Sequence, residues 1–415
     1  MVKIKSIKAR EILDSRGNPT VEVSISTEKF TAVASVPSGA STGIHEALEL
    51  RDKDNARYRG LGVLTAVANI NNEISKAVAD KEYNQESLDR FLIELDGTPN
   101  KSRLGANAIL GVSMAFAKIS AQEEGIELYE YLGNLAGNKN YEFPQPMLNI
   151  VNGGQHADSG LDIQEFMLGP VGFPTFKEKI RVGSEVIYSL RSILKEKGYT
   201  VSVGDEGGFA PKVKSNEEAL ELMVEAIKKA GYTTDQVKIG MDVAASSFFE
   251  DGKYTLRINN EQKVMTSAEM VSWYEELVNK YPIISIEDGL SEDDWEGFNL
   301  LTQKLGDKIA VVGDDLLVTN IERIKISIEK QATNSVLIKL NQIGSVTETI
   351  EAITLAQKQG WKPFVSHRSG ETTDTFIADL SVGLACPFIK SGSLMRGERV
   401  CKYNRIMEIE DKLNK

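Results

Sequence analysis

The 415-residue chain has only two cysteines, Cys386 and Cys401, and three histidines. Two cysteines are too few for a disulfide framework or a zinc knuckle, so a reducing compartment, the cytoplasm, is the expected location. No apolar run approaches the roughly 18 residues of a membrane span, and Met1-Val2-Lys3-Ile4-Lys5 lacks a secretory apolar segment, which argues against membrane insertion. Positive charge is also short: Lys+Arg 48 against Asp+Glu 60 leaves −12, which opposes nonspecific binding to nucleic acid or anionic lipid. The chain has no G-x-x-x-x-G-K-[ST] and no H-E-x-x-H, so nucleotide-binding and zincin readings have no support, and G-x-S-x-G occurs once, at Gly39–Gly43, in a small-residue loop.

What is present is ordinary for a large buried core, with 41% apolar and 26% charged residues. Lys3–Leu13, Thr20–Thr27 and Phe30–Val36 are rich in β-branched residues and separated by turn chemistry, which predicts an antiparallel meander. Helical periodicity follows at Val63, Val67, Ile70, Ile74 and Ala77, and again at Ile109, Val112, Phe116 and Ile119. Strands followed by helices indicate an α+β domain over residues 1–140, ending at the helix-breaking Tyr141–Pro146. Over 141–415 short apolar runs alternate with amphipathic helices. The runs are Val201–Val203, Ile239–Met241, Ile283–Ile286, Ile309–Val312, Val336–Ile338, Phe364–Val365 and Phe388–Ile389. The helical patterns are Phe176–Lys197, Glu217–Lys229, Ser267–Lys280, Ile321–Lys330 and Val346–Gln359. That rhythm is the signature of a parallel α/β sheet, and a closed (β/α)₈ barrel is favoured over an open doubly wound sheet.

Each apolar run leads into an ionisable residue: Glu206, Asp242, Glu287, Asp314, Lys339, His367 and Lys390, at intervals of 23 to 45 residues. In a barrel these positions gather on one rim. Any single acid there is readily explained as a helix cap, but caps do not require two lysines in the same ring. Asp242, Glu287 and Asp314 offer only oxygen, which selects a hard cation such as Mg²⁺, the competing reading being a salt-bridge network with rim lysines. The protonation of Lys339 depends on how many charges of each sign face it, and a second cation together with Lys390 would favour the neutral base. Glu165 and Glu206 are a candidate pair sharing one proton, as a general acid requires. His367, Arg368 and Ser369 suit a phosphate, and His156 and Gln164 lie in a second polar segment.

These residues sit in motifs that closely resemble the enolase (phosphopyruvate hydratase) family essentially end to end. The matching segments include Ser38–Gly43, Glu46–Asp52, Gly105–Ala108, Asn152–Ala157, Gln164–Met167 and Gly204–Pro211. They continue through Met241–Ala245, Ser285–Asp288, Gly313–Leu316, Lys339–Gly344 and Ser366–Thr372. The resemblance implies an α+β capping domain on a modified TIM-type barrel whose first strands break strict alternation. It implies a hydro-lyase of glycolysis and gluconeogenesis that reversibly dehydrates 2-phospho-D-glycerate to phosphoenolpyruvate with two Mg²⁺ per active site. It further implies Lys339 as base, Glu206 with Glu165 and His156 at the acid side, and Asp242, Glu287, Asp314 and Ser41 as metal ligands. Gln164, His156, Glu165, His367, Arg368, Ser369 and Lys390 would contact substrate, and a homodimer or octamer is expected. Enolase-superfamily enzymes are the standard case of a Lys or His base working with one or two Mg²⁺ ions. The chain departs from the family pattern at Leu61, Ser159-Gly160, Gly289 and Pro387–Gly392. Two other readings are a related dehydratase or racemase of sugar acids, and a surface-binding role using the terminal Lys415, alone or beside catalysis.

Overall fold

A computed structural model describes residues 1–39, 43–154, 157, 159–258 and 261–414; Ser41, His156 and Lys415 therefore lie outside the described residues. The chain opens with β1 (Val2–Lys3), β2 (Ser6–Leu13), β3 (Pro19–Ser26) and β4 (Thr31–Ser35), and β5 (Glu82–Tyr83) pairs back onto β1. β2, β3 and β4 form the expected antiparallel meander. Its first turn is built by Asp14, whose carboxylate accepts the N–H of Arg16 (2.8 Å) and of Asn18 (2.9 Å). Val21, Val23 and Ile25 alternate inward along β3 and meet the helix Ala106–Glu124. Gly111 lets that helix approach, since a Cβ there would come within 2.6 Å of the Val23 side chain.

The earlier periodic segment forms the helices Leu64–Ala68 and Ser75–Val78 with a π-helical stretch, Asn69–Ile74, between them. Its buried seam runs Ala66, Ile70, Ile74, Val78. The wide π turn explains this four-residue spacing, and it is why Val67 and Ala77 are only half-buried.

The barrel strands are β6 (Gln145–Asn152), β7 (Glu165–Pro170) and β8 (Val237–Asp242); a lateral ribbon follows as β9 (Phe249–Glu250), β10 (Lys253–Ile258) and β11 (Glu261–Met265). The barrel resumes with β12 (Ile283–Glu287), β13 (Ala310–Gly313), β14 (Ser335–Ile338), β15 (Lys362–Ser366) and β16 (Phe388–Lys390). β6, β7, β8 and β12 to β16 close in that order into one barrel. β7 runs antiparallel to both neighbours and all other pairs are parallel.

The sequence reading is corrected at one point. Val201–Val203 is not a barrel strand and makes only an isolated bridge, Val203 to Phe209. The two strands it stood for are β6 and β7, both buried throughout, so no polar alternation marks them. Glu206 reaches the rim on a loop between the helices Phe176–Glu196 and Asn216–Lys229 rather than at a strand end.

Met147, Met167, Ala310, Val312, Leu337 and Phe364 fill the barrel, with Ile284 and Phe388 packed beside them. Phe364 stacks on Phe388 at 4.1 Å between ring centroids, with the ring planes nearly parallel at 4°. The N-terminal part is tied to the barrel by a backbone bridge between Ser38 and Gly370. Buried Asp89 adds to this by accepting the N–H of Thr347 (2.9 Å) and its hydroxyl (2.6 Å). Truncating the stacked ring, Phe364→Ala, is expected to cost about 3–5 kcal/mol of stability, read from denaturant unfolding; a loss below about 1 kcal/mol would show that the barrel centre is not tightly packed.

Candidate active site

The barrel register sets the rim. Glu165 at the start of β7 stands beside Asp242 at the end of β8, and Asp242 beside Glu287 at the end of β12. Ser366 pairs with Lys390 across β15 and β16. Because β7 is reversed, it places its first residue where its neighbours place their last. Asp314, Lys339 and His367 follow β13, β14 and β15 directly. A narrow cleft at this rim is lined by Gln164, Glu165, Glu206, Asp242, Asp314, Lys339, His367, Arg368, Ser369 and Lys390, with Asp288 and Asp315. The described candidates thus share one rim, with Glu287 against Lys390, but Asp242, Glu287 and Asp314 do not together form one of the groups, among the described residues, whose ligand-type atoms lie within 4.8 Å of one another.

Lys390 is the hub. Its Nζ lies 2.9 Å from Asp242 Oδ2, 2.9 and 3.0 Å from the Glu287 oxygens and 3.2 Å from Glu165. Burial pulls the ammonium down, but Asp242, Glu165 and Glu287 together hold its pKa well above the ordinary lysine value. Asp314 is turned away from this group, toward Lys339 Nζ and the Gln342 amide, 2.9 Å away. Burial and Arg368 oppose the charge on Lys339, but Asp314, Asp315 and Glu287 outweigh them and hold its pKa above the ordinary lysine value.

The second cluster is Glu165, Glu206 and His367, whose ligand-type atoms lie within 4.8 Å of one another. Burial first, and Glu206 second, push the Glu165 carboxyl well above the usual range, as a proton-sharing pair requires. His367 Nε2 is 3.3 Å from Glu206 Oε2, and burial lowers the imidazole to about 4. Arg368 is gripped through both terminal nitrogens by Glu46, at 3.0 and 3.1 Å, and donates to Asn341 at 2.9 Å.

Several partners carried no assigned role in the sequence reading. Glu46, Asp288 and Gln342 stand inside the resembling motifs. Asp288 accepts the backbone N–H of Asp314 and of Asp315, both at 2.8 Å, and so fixes the turn after β13. Asn149, which donates to Glu206 at 3.1 Å, and Arg399, beside His367, gave no signal because neither ends a strand.

The donor chemistry fits a hard dication. Asp242, Glu287 and Asp314 supply oxygen only, and Glu287 is pushed well above the carboxylate range by burial and then by Asp242. Asp288, Asp314 and Asp315 form another close carboxylate group, and burial and Asp314 raise Asp315 to about 7. A rim with this excess of buried negative charge is stabilised by added positive charge.

Comparison with known families agrees with this geometry. Residues 4–132 match the family described as "Enolase, N-terminal domain", and residues 140–415 match "Enolase, C-terminal TIM barrel domain". The chain belongs to the enolase family. Of its departures from the enolase pattern, Gly289 and Phe388 fall in apolar packing. Gly289 packs against Ile286, Tyr274 and Leu301, where a Cβ would stand 3.0 to 3.3 Å from their side chains. Phe388 joins the stack inside the barrel. Among the described residues no helix is long and apolar enough to cross a membrane.

The low His367 value makes stability depend on pH. A buried neutral imidazole must take up a proton on unfolding, so the unfolded chain binds more protons between about pH 4 and 6.5 and stability falls on acidification. Between pH 7 and pH 5 this contribution amounts to about 2 kcal/mol. Denaturant unfolding at both pH values should show His367→Gln losing less stability than the parent over that interval. An identical loss in the two proteins would refute the assignment.

Proposed function

We propose that this enolase-family chain is the hydro-lyase that interconverts 2-phospho-D-glycerate and phosphoenolpyruvate with Mg²⁺. The observation that carries the reading is the placement of a lysine and a carboxylate pair across one cleft. Lys339 follows β14 and Glu165 begins β7, four strands apart in an eight-stranded ring and hence on opposite walls. Glu206 stands beside Glu165. Elimination of water next to a carboxylate calls for that division, one wall removing a proton and the other delivering one to the departing hydroxyl.

Asp242, Glu287 and Asp314 would hold one Mg²⁺, and Ser41 would reach a second. When bound, the two ions supply positive charge beside the substrate carboxylate, where negative charge accumulates as C2 loses its proton. Lys339, in the neutral form that added positive charge beside it would favour, takes the C2 proton onto Nζ. Lys390 faces the substrate carboxylate and strengthens its interaction as charge builds there. Glu206, with its proton shared with Glu165, protonates the C3 hydroxyl, which leaves as water while the C2 electron pair forms the double bond. Arg368, Ser369 and His367 orient the phosphorylated substrate with Gln164 and His156 beside them, and Arg368 binds the phosphate in competition with Glu46.

Residues 1–140 act in this reading as the cap and 141–415 as the catalytic barrel. Assembly as a dimer or octamer and a cytoplasmic location accompany it, and a secondary surface role through Lys415 is compatible with it.

The test is an absorbance assay for phosphoenolpyruvate alongside exchange of the C2 proton with deuterated solvent. Chelation should abolish both signals and Mg²⁺ should restore them. Lys339→Ala should lower exchange by about 10³-fold or more, whereas Glu206→Gln should retain exchange and slow water loss by about 10²–10⁴-fold. Equal loss of exchange in both variants would overturn the assigned roles, and a parent protein inert with Mg²⁺ would overturn the function.

A further inference from the structure

Arg399, on the C-terminal helix Gly397–Leu413, is fully buried behind the rim and is not itself one of the residues lining the cleft. Its guanidinium binds a set of acceptors that belong to two separate loops. Nη1 lies 2.6 Å from His367 Nδ1 and 2.5 Å from the carbonyl of Arg368. Nη2 lies 2.7 Å from the carbonyl of Ser369 and 3.3 Å from that of Asp205. One side chain therefore joins the loop carrying Glu206 to the loop carrying His367. The room it occupies is kept by Gly392, where a Cβ would lie 2.7 Å from the Glu206 carbonyl and 3.0 Å from Arg399 Cδ.

A guanidinium has no acceptor, so the nitrogen it faces must accept. From this contact we infer that Arg399 is a positioning residue for the acid side of the reaction: it fixes His367 as the neutral tautomer with its hydrogen on Nε2, the nitrogen that lies 3.3 Å from Glu206 Oε2. The inference rests on the dehydratase reading proposed above and deepens it.

The consequence concerns the surroundings of the acid. Oε2 of Glu206 accepts the Asn149 amide at 3.1 Å and lies 3.3 Å from His367 Nε2. With the opposite tautomer, His367 Nε2 would be an acceptor facing a carboxylate oxygen, and the pair would repel or draw the proton to Oε2. The lowering of the imidazole by burial agrees with a neutral ring.

Three histidines in the whole chain make the ring nitrogens directly readable by ¹⁵N NMR. Spectra of His45→Gln and His367→Gln identify the His367 signals. In the parent protein near pH 7, His367 should show an unprotonated Nδ1 and a protonated Nε2; an Nδ1–H ring or an imidazolium overturns the inference. This needs no variant of Arg399 and no substrate.

Arg399→Lys then tests the consequence. Formation of phosphoenolpyruvate should slow by about 10–100-fold while KM and C2 proton exchange stay within about twofold, because exchange depends on Lys339 and not on Glu206. Equal loss of exchange and water loss in a folded variant would make Arg399 merely structural and overturn the proposal. If the parent protein catalyses neither step, the dehydratase reading falls, and the ring signals still decide the tautomer on their own.

Discussion

Buried carboxylates at the end of a barrel repel one another, and the rim of this protein exists because two lysines sit among them. Lys390 contacts Asp242, Glu287 and Glu165 within 3.2 Å while almost wholly shielded from solvent. Lys339 does the same for Asp314. Taking these charges out of water is costly for each of them, and the mutual attraction offsets it only while every partner stays in place. Removing Lys390 alone would leave a like-charged group with no compensation. The acids consequently bind protons more tightly than usual, Glu165 and Glu287 well above the carboxylate range, both chiefly through burial.

The same shortage of positive charge orders the contacts between the N-terminal part and the rim. Arg368 is turned to Glu46, a residue of the segment after β4, and Gln342 also reaches Glu46 at 3.4 Å. The backbone of Ala47 donates to the Gln342 carbonyl at 2.8 Å. With the Ser38 to Gly370 bridge, these contacts place the first strands' exit loop over the residues that follow β14 and β15. A side chain bridging from outside the barrel therefore governs how the guanidinium presents itself inside it.

Much of this was legible in the order of residues along the chain. Six of the seven apolar runs are barrel strands, and the acids and lysines that follow them do meet. The signal is strong because a parallel strand buried on both faces is a short apolar block, and a rim residue must be the first polar one after it. Glu287 and Lys390 are examples. Legibility ended where that rule stops applying. β6, with Pro146, Asn149 and Asn152 among its buried residues, does not read as an apolar block. Val201–Val203 reads as one but has no neighbour to pair with along its length. Arg399 lies in a helix whose sequence is polar, and only packing shows that its guanidinium is directed at His367. The direction in which Lys339 is shifted needed distances as well, since burial and Arg368 oppose three acids there.

The reversed strand is the feature that makes an opposed base and acid possible in this barrel. Had β7 run parallel to its neighbours, its first residue would sit at the far end of the barrel, and Glu165 would be lost from the cleft. Reversal brings Glu165 level with Asp242 and opposite β14. It also shortens the connection from β6 to β7, so the helices Phe176–Glu196 and Asn216–Lys229 both follow β7. The loop between them then returns to the rim carrying Glu206, held by the Ser393 N–H on its carbonyl at 2.9 Å and by Asn149 on its carboxylate. One change of strand direction thus delivers two carboxylates to the wall facing Lys339, where a strictly alternating barrel would supply one residue per strand end.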